Sequence, residues 1–310
     1  MQLPSGSQTP GQATSSEPEN ASRPSVVVNE NTDISLLTQA QLYDLNQNLL
    51  EDAVPNIPLI GPLSSISTLR AEYEEGSRSF VNQVDYLASQ GYLSVRRARG
   101  DGDCFYRSLA FAFIEYLLNS PQTNVAVALA TSLLESTIPM LEDAGFQKLV
   151  FEDFYEVLLS LIQQIVVPEP GGTTLTSETL LEAFQSPEVS NSVVVYLRLV
   201  ASAQIRNDPE EYSPFLFHPE LGEPMGTREF CEHFVEAVGK EADHVQMTAL
   251  TRALKLNLNV AYLDGRSSTG KVDFVEFRDP DSQLENGSPI TLLYRPGHYD
   301  ILDKRTAEAL

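Results

Sequence analysis

The chain has 310 residues, enough to bury a substantial core in one domain with appendages, and 43 acidic against 20 basic residues leave a formal net charge of −23. That balance excludes a nucleic-acid binder, since phosphate contacts need a basic footprint, and suits a basic ligand instead. Two cysteines cannot make a disulfide framework, no stretch reads as long and apolar enough to span a membrane, and residues 1–6 lack the basic and apolar regions of a secretion signal. A reducing compartment, cytosol or nucleus or both, is therefore expected.

Residues 1–32 are dominated by Ser, Pro, Gln, Gly and Thr, with few large apolar residues to offset the entropy of folding, so a disordered tail is expected there. Residues 33–64 read as a helical N-terminal arm: Thr38 with Gln41 makes a capping box, and Leu42, Leu45 and Leu49 follow at helical spacing. Such a stripe either packs on the domain or serves as a partner-binding arm. The globular domain is expected over 65–310. Within it, 105–118, 125–144, 151–165, 177–183, 192–203, 227–238 and 243–254 read as helices, several with apolar residues three and four apart. Segments 168–172 and 207–219 read as loops long enough to carry function. Strands gather near the C-terminus at 259–263, 272–277, 290–294 and 299–302. Helices packed on a small, mainly antiparallel C-terminal sheet define an α+β (mixed α/β) fold, and no internal repeat is evident.

Chemistry concentrates in two places. Gly100-Asp101-Gly102-Asp103-Cys104-Phe105-Tyr106-Arg107 changes from loop to helix at the thiol, which puts Cys104 near a helix N-terminus. Unpaired backbone N–H groups and the positive end of the macrodipole favour thiolate there, and the same N–H groups, uncrowded beside Gly100 and Gly102, suit an oxyanion. Far downstream, Arg295-Pro296-Gly297 reads as a turn into a returning strand that starts at His298. Residues two apart on a strand share a face, so Asp300 lies beside His298 and can hold one ring nitrogen while the other faces Cys104. This is the logic of a catalytic triad: Cys104 attacks, His298 carries the proton, Asp300 orients His298.

The alternatives are weaker. The Gly-Asp-Gly-Asp run lacks the ligand series and closing Glu of a calcium loop, and His298 with Asp300 has no third ligand at metal spacing, so neither metal nor cofactor is expected. Cys231 and His233, two apart on a predicted helix, lie on different faces and cannot form a dyad; Cys231 reads as core. His244, after Glu241 and Asp243, reads as a capping or hydrogen-bonding residue, and His218 as a loop residue.

Both active-site segments, Gly100 to Arg107 and Leu292-Leu293-Tyr294-Arg295-Pro296-Gly297-His298-Tyr299-Asp300-Ile301-Leu302, resemble those of otubains, deubiquitinating enzymes of the ovarian tumour protease superfamily. The likeness continues through Phe151-Glu152-Asp153-Phe154, Val194-Val195-Tyr196-Leu197-Arg198-Leu199, Glu229-Phe230-Cys231 and Glu241-Ala242-Asp243-His244-Val245, and covers roughly residues 65–303 in order. It implies a papain-like cysteine protease fold. It also implies Cys104 as nucleophile, His298 as base, Asp300 as its partner, and Asp101 as a catalytic position that shapes the oxyanion loop. One departure stands out: otubains usually carry Asn where this chain has Asp103, an anion that opposes thiolate formation unless it points to solvent. The implied activity is isopeptide hydrolysis at the ubiquitin C-terminus by a monomer without a cofactor, with preference for polyubiquitin chains of the linkage that signals proteasomal degradation. The competing expectation is a noncatalytic binder of ubiquitin, or of a ubiquitin-loaded conjugating enzyme, that suppresses transfer.

Overall fold

A computed structural model of the chain describes residues 57–168, 171–267, 269–280, 282 and 289–307. The expected tail, the Thr38–Gln41 box and the Leu42, Leu45, Leu49 stripe lie outside the described residues. The described chain opens with strand β1 (Ile60–Ser65), helices α1 (Ile66–Tyr73) and α2 (Arg78–Ser89), and strand β2 (Ser94–Ala98). A helical stretch follows: α3 (Cys104–Leu118), α4 (Thr123–Asp143), α5 (Lys148–Gln163), α6 (Ser177–Gln185), α7 (Pro187–Asn207), the short α8 (Pro209–Tyr212), α9 (Thr227–Phe230) and α10 (His244–Ala253). Strands β3 (Leu258–Tyr262), β4 (Asp273–Phe277), β5 (Ile290–Arg295) and β6 (His298–Asp303) complete it.

The strands form one sheet of six in the order β1-β2-β6-β5-β3-β4, antiparallel except for the β3–β5 pair. The α+β class holds, but the sheet is larger than its C-terminal part. Segment 57–64, assigned from sequence to the helical arm, instead supplies edge strand β1, paired antiparallel with β2. Its Gly61 and Pro62 are tolerated because an edge strand leaves one row of backbone groups unpaired.

Side chains alternate across the sheet. Val95, Leu293 and Leu302 pack with Ile66 and Leu69 of α1 and Val84 and Leu87 of α2, while Leu292, Tyr299 and Ile301 face the main core built around α3 and α7. Every residue of α3 except Tyr116 and Leu118 is buried, as expected of a helix apolar on all sides. The predicted 227–238 helix is interrupted: after α9 the chain widens at Cys231–Val235, where the Glu236 N–H reaches back five residues to the Cys231 carbonyl at 2.8 Å. The membrane expectation also needs one correction. Helix α4 does have the length and mean hydropathy, 1.3, of a spanning segment. A third of that stretch is buried, through Ala126, Val127, Ala130, Leu134, Thr137 and Leu141 at helical spacing, as in a helix packed on a globular core.

Candidate active site

Three structural elements meet at the sheet end where β2 stops and β6 begins. Cys104 is the first residue of α3 and 2% exposed. His298 is the first residue of β6, paired across the hairpin with Arg295, and the intervening Pro296 and Gly297 (φ 75°) satisfy the fixed and positive φ values that such a tight turn demands. Asp300 shares the α1-side face of the sheet with Leu302, and Cys104 lies on the α3 side. His298, at the strand's end, spans the two. Its Nε2 lies 2.8 Å from Asp300 Oδ1, and its Nδ1 faces the other way, 3.6 Å from where a Cβ on Gly100 would be. Glycine at 100 therefore leaves the imidazole room against the nucleophile loop.

Burial opposes charge on His298, but hydrogen bonds to Asp300 and to the Cys104 side chain, with the charges of both, outweigh it and raise the imidazole to about 9. Asp300 is completely buried, which by itself would push its pKa up. The His298 hydrogen bond and the charges of Arg295, His298 and Arg97 instead pull it down to about 2. The carboxylate is saturated with donors. Oδ1 also accepts the Ala98 N–H at 3.0 Å, and Oδ2 accepts Arg97 Nη1 at 2.9 Å and Arg295 Nη2 at 2.7 Å. Both arginines reach outward to Glu72 of α1, so a four-residue ion network stands behind the imidazole.

Asp101 does not touch His298. Its Oδ1 accepts the Asp103 N–H at 3.0 Å and Arg107 Nη1 at 2.8 Å, and Arg107 is fully buried and anchored by Ser190 Oγ at 3.0 Å. Asp101 thus ties the loop before the thiol to the Asp103 N–H and to Arg107. Asp103 takes neither position weighed from the sequence. It is 5% exposed, so it does not point to solvent, and it is paired: Oδ1 accepts Arg198 Nε at 2.9 Å, Arg198 Nη2 at 2.5 Å and the Gly239 N–H at 3.0 Å. Arg198, on α7 and fully buried, also donates from Nη2 to the carbonyls of Gly102 and Lys240 and from Nη1 to that of Val235, and lies 4.3 Å over the Tyr106 ring. Gly102 (φ 78°) rests on Gly239 so closely that a Cβ would stand 2.1 Å from the Gly239 carbonyl oxygen.

The other candidates fall elsewhere. Cys231 is fully buried, and burial pushes its thiol up to about 11. His233 is exposed and bonded to the Glu229 carbonyl. Asp243 caps α10 with Gln246 as its box partner, and the His244 ring pairs with Asp243 at 3.1 Å. His218 accepts two backbone N–H groups of its own turn, flanked by exposed Phe215, Phe217 and Leu221. Among the described residues no cluster of ligands fits a metal ion. Sequence reasoning missed Glu72, Arg97, Arg107 and Arg198. For the three arginines the one signal is an arginine inside an otherwise apolar or strand-like run, as in Val194-Val195-Tyr196-Leu197-Arg198-Leu199; Glu72 carries none.

A thiol at a helix start, facing an imidazole held by a buried carboxylate, is the arrangement of a cysteine peptidase. The family model for Peptidase C65, the otubains, matches residues 52–304. Ovarian tumour domain-containing deubiquitinating enzyme 1 of Arabidopsis thaliana is 34% identical over 261 residues, 81% of this chain and 83% of the relative. Human ubiquitin thioesterase OTUB1 is 33% identical over 256 residues, 82% of this chain and 86% of that protein. A solved complex of h/ceOTUB1 with ubiquitin aldehyde and UBC13~Ub superposes with a TM-score of 0.72 at 28% identity, over 86% of this chain and 98% of that one. The chain belongs to the otubain family.

Proposed function

We propose that this otubain is a thiol-dependent deubiquitinating enzyme whose catalytic residues are Cys104, His298 and Asp300, with Asp101 shaping the oxyanion loop. The observation that carries this is the His298 imidazole held between Asp300 Oδ1 and Cys104, with its pKa lifted to about 9 by both. The Cys104 thiolate attacks the carbonyl carbon of the isopeptide bond, and the resulting oxyanion is received by the free N–H groups at the start of α3, which no side chain caps. Collapse expels the lysine amine, which takes a proton from His298. A water then attacks the acyl-enzyme, giving its proton to His298, and the ubiquitin carboxylate leaves with Cys104 restored. Asp300 stays ionised throughout, orienting the ring and balancing its charge.

The substrate follows from the relatives, named as ubiquitin thioesterases. The net charge of −23 is complementary to the arginine-bearing C-terminal tail of ubiquitin. Within that class, chains of the degradation-signalling linkage are the preferred substrate, with cytosol and nucleus as the compartment. The Leu42, Leu45, Leu49 stripe, which lies outside the described residues, is assigned to docking of a second ubiquitin. A panel of differently linked di-ubiquitins, with Cys104→Ala as control, tests reaction and linkage together: cleavage of one linkage by the parent chain and none by the variant is expected. Cleavage surviving Cys104→Ala would overturn the assignment. One observation favours an added noncatalytic role: solved relatives are complexes with UBC13~Ub and UBCH5B~Ub. Retention of a ubiquitin-loaded conjugating enzyme by the Cys104→Ala protein would establish it.

A further inference from the structure

Asp103 occupies the N-cap position of α3 and carries one of the side chains that most prefer to cap a helix, yet it makes no side-chain cap. A capping residue adopts extended backbone and turns its oxygen onto the second or third N–H of the helix. Asp103 has φ −101° and ψ −1°, and its carboxylate is drawn away to Arg198 and the Gly239 N–H. Arg198 also grips the Gly102 carbonyl, so one guanidinium holds the side chain of the residue before the nucleophile and the backbone of the residue before that.

Resting on the assignment of Cys104 as nucleophile, we infer that Arg198 is a positioning residue for catalysis: it keeps Asp103 from capping α3, and so keeps the first N–H groups of that helix open for the oxyanion. The same clasp joins both sides of the site. Arg198 binds the Lys240 carbonyl, Gly239 binds Asp103, and Glu241 of this segment lies against Gly297 in the turn that carries His298. Asp103 is therefore a built-in competitor of the substrate oxyanion, and Arg198 is what withdraws it. It also explains how an aspartate can stand beside the thiol: its charge is neutralised within the clasp rather than turned toward the sulfur.

The test uses the full chain, a ubiquitin C-terminal fluorogenic reporter, and ubiquitin aldehyde, whose hemithioacetal forms an oxyanion. Arg198→Gln frees Asp103 to cap. Expected is a kcat lower by roughly 10²-fold, the loss seen when one oxyanion donor is removed, with KM changed little and ubiquitin aldehyde binding weakened in parallel. Adding Asp103→Ala, which cannot cap, should then raise kcat and aldehyde affinity by about tenfold over the single variant, because the competitor is gone. A purely structural arginine gives the opposite: the second substitution deepens the loss. A double variant no more active than Arg198→Gln, or a single variant within about threefold of the parent, overturns the inference. Should Arg198→Gln not fold, as judged by its melting, Arg198→Lys with and without Asp103→Ala decides by the same comparison. These outcomes are separate from the fate of the nucleophile assignment, which falls only if Cys104→Ala retains hydrolysis.

Discussion

Replacing Asp300 by Asn puts the most constrained carboxylate of the structure to the test. Four donors converge on it, His298 Nε2 and the Ala98 N–H on Oδ1, Arg97 and Arg295 on Oδ2. An amide has one oxygen and one NH₂, so it cannot serve both pairs. With its oxygen toward the arginines, its NH₂ opposes the Ala98 N–H and asks His298 Nε2 to accept, which drives the ring proton to Nδ1, on the side of Gly100 and the thiol. With its oxygen toward His298, the NH₂ meets two guanidinium groups. The first arrangement orphans one buried N–H and removes a charge from two arginines that keep Glu72, a cost of about 2–4 kcal/mol in stability. Catalysis suffers more, because the wrong tautomer cannot take the thiol proton: kcat should fall by roughly 10³–10⁴-fold with KM nearly unchanged. Without the Asp300 hydrogen bond and charge, only Cys104 still opposes the burial of His298, so the pH at which the imidazole discharges should drop from about 9 toward the ordinary 6.5. Steady-state kinetics with the ubiquitin reporter across pH, beside thermal melting, measure all three quantities. A kcat within about tenfold of the parent with an unmoved alkaline limb would refute the role given to Asp300.

Further outcomes follow from the same geometry. An electrophilic ubiquitin probe should label Cys104 and spare Cys231, whose thiol is fully buried and raised to about 11; peptide mapping of an adduct to Cys231 would sink the assignment. Gly102→Ala should give little folded protein, since a Cβ meets the Gly239 carbonyl at 2.1 Å and the positive φ is strained for any other residue, whereas normal melting would show that the clasp can open. The His298–Asp300 contact should appear in the pH dependence of unfolding, worth about 2–3 kcal/mol and counted once for the pair. Asp300 is lowered from 3.8 to about 2, so its share is present above 3.8 and lost as pH falls through about 2. His298 is raised from 6.5 to about 9, so its share is present below 6.5 and lost as pH rises through about 9. Denaturant midpoints of parent and Asp300→Asn that differ equally at neutrality and in that alkaline window would contradict this. Deleting residues 1–50, which stops short of β1, should spare reporter hydrolysis and raise KM for di-ubiquitin; an equal loss on both substrates, with lower melting, would end the docking-arm proposal.

What the sequence discloses about this fold follows from where the causes lie. The nucleophile loop, α3 and the β5–β6 hairpin are specified locally, by glycines beside the thiol, an unbroken apolar helix and a Pro-Gly turn, and each was legible. Strand β2 was not. Ser94-Val95-Arg96-Arg97-Ala98 looks solvent-facing, yet Arg96 is buried against Glu115 and the half-buried Arg97 pairs with Asp300, partners 19 and 203 residues away. Periodicity treats an arginine as surface, and only the folded chain shows that these charges are matched. The wide turn at Cys231–Val235 has the same kind of origin, since the carbonyl of Val235 is taken by Arg198 from α7. Helix α7 itself starts five residues earlier than expected, at Pro187, because its first turns are polar and carry no apolar stripe. Asp103 was noticed as a departure, but its chemistry depends on Arg198, which no local pattern links to it.

Strand β6 has a place in the sheet that bears on the order of events in the protein's life. It lies between β2 and β5, so it alone joins the pair β1-β2 to the group β5-β3-β4, and its first and third residues are His298 and Asp300. The strand that zips the two halves of the sheet together is thus the strand that delivers the proposed base. Because it is also the last strand among the described residues, a growing chain still short of His298 holds its thiol with no imidazole opposite it. Closing this contact across 194 residues is a slow, late step for a chain of such topology. Onset of hydrolysis in a refolding experiment therefore marks insertion of β6, and the enzyme is chemically silent until its own sheet is whole.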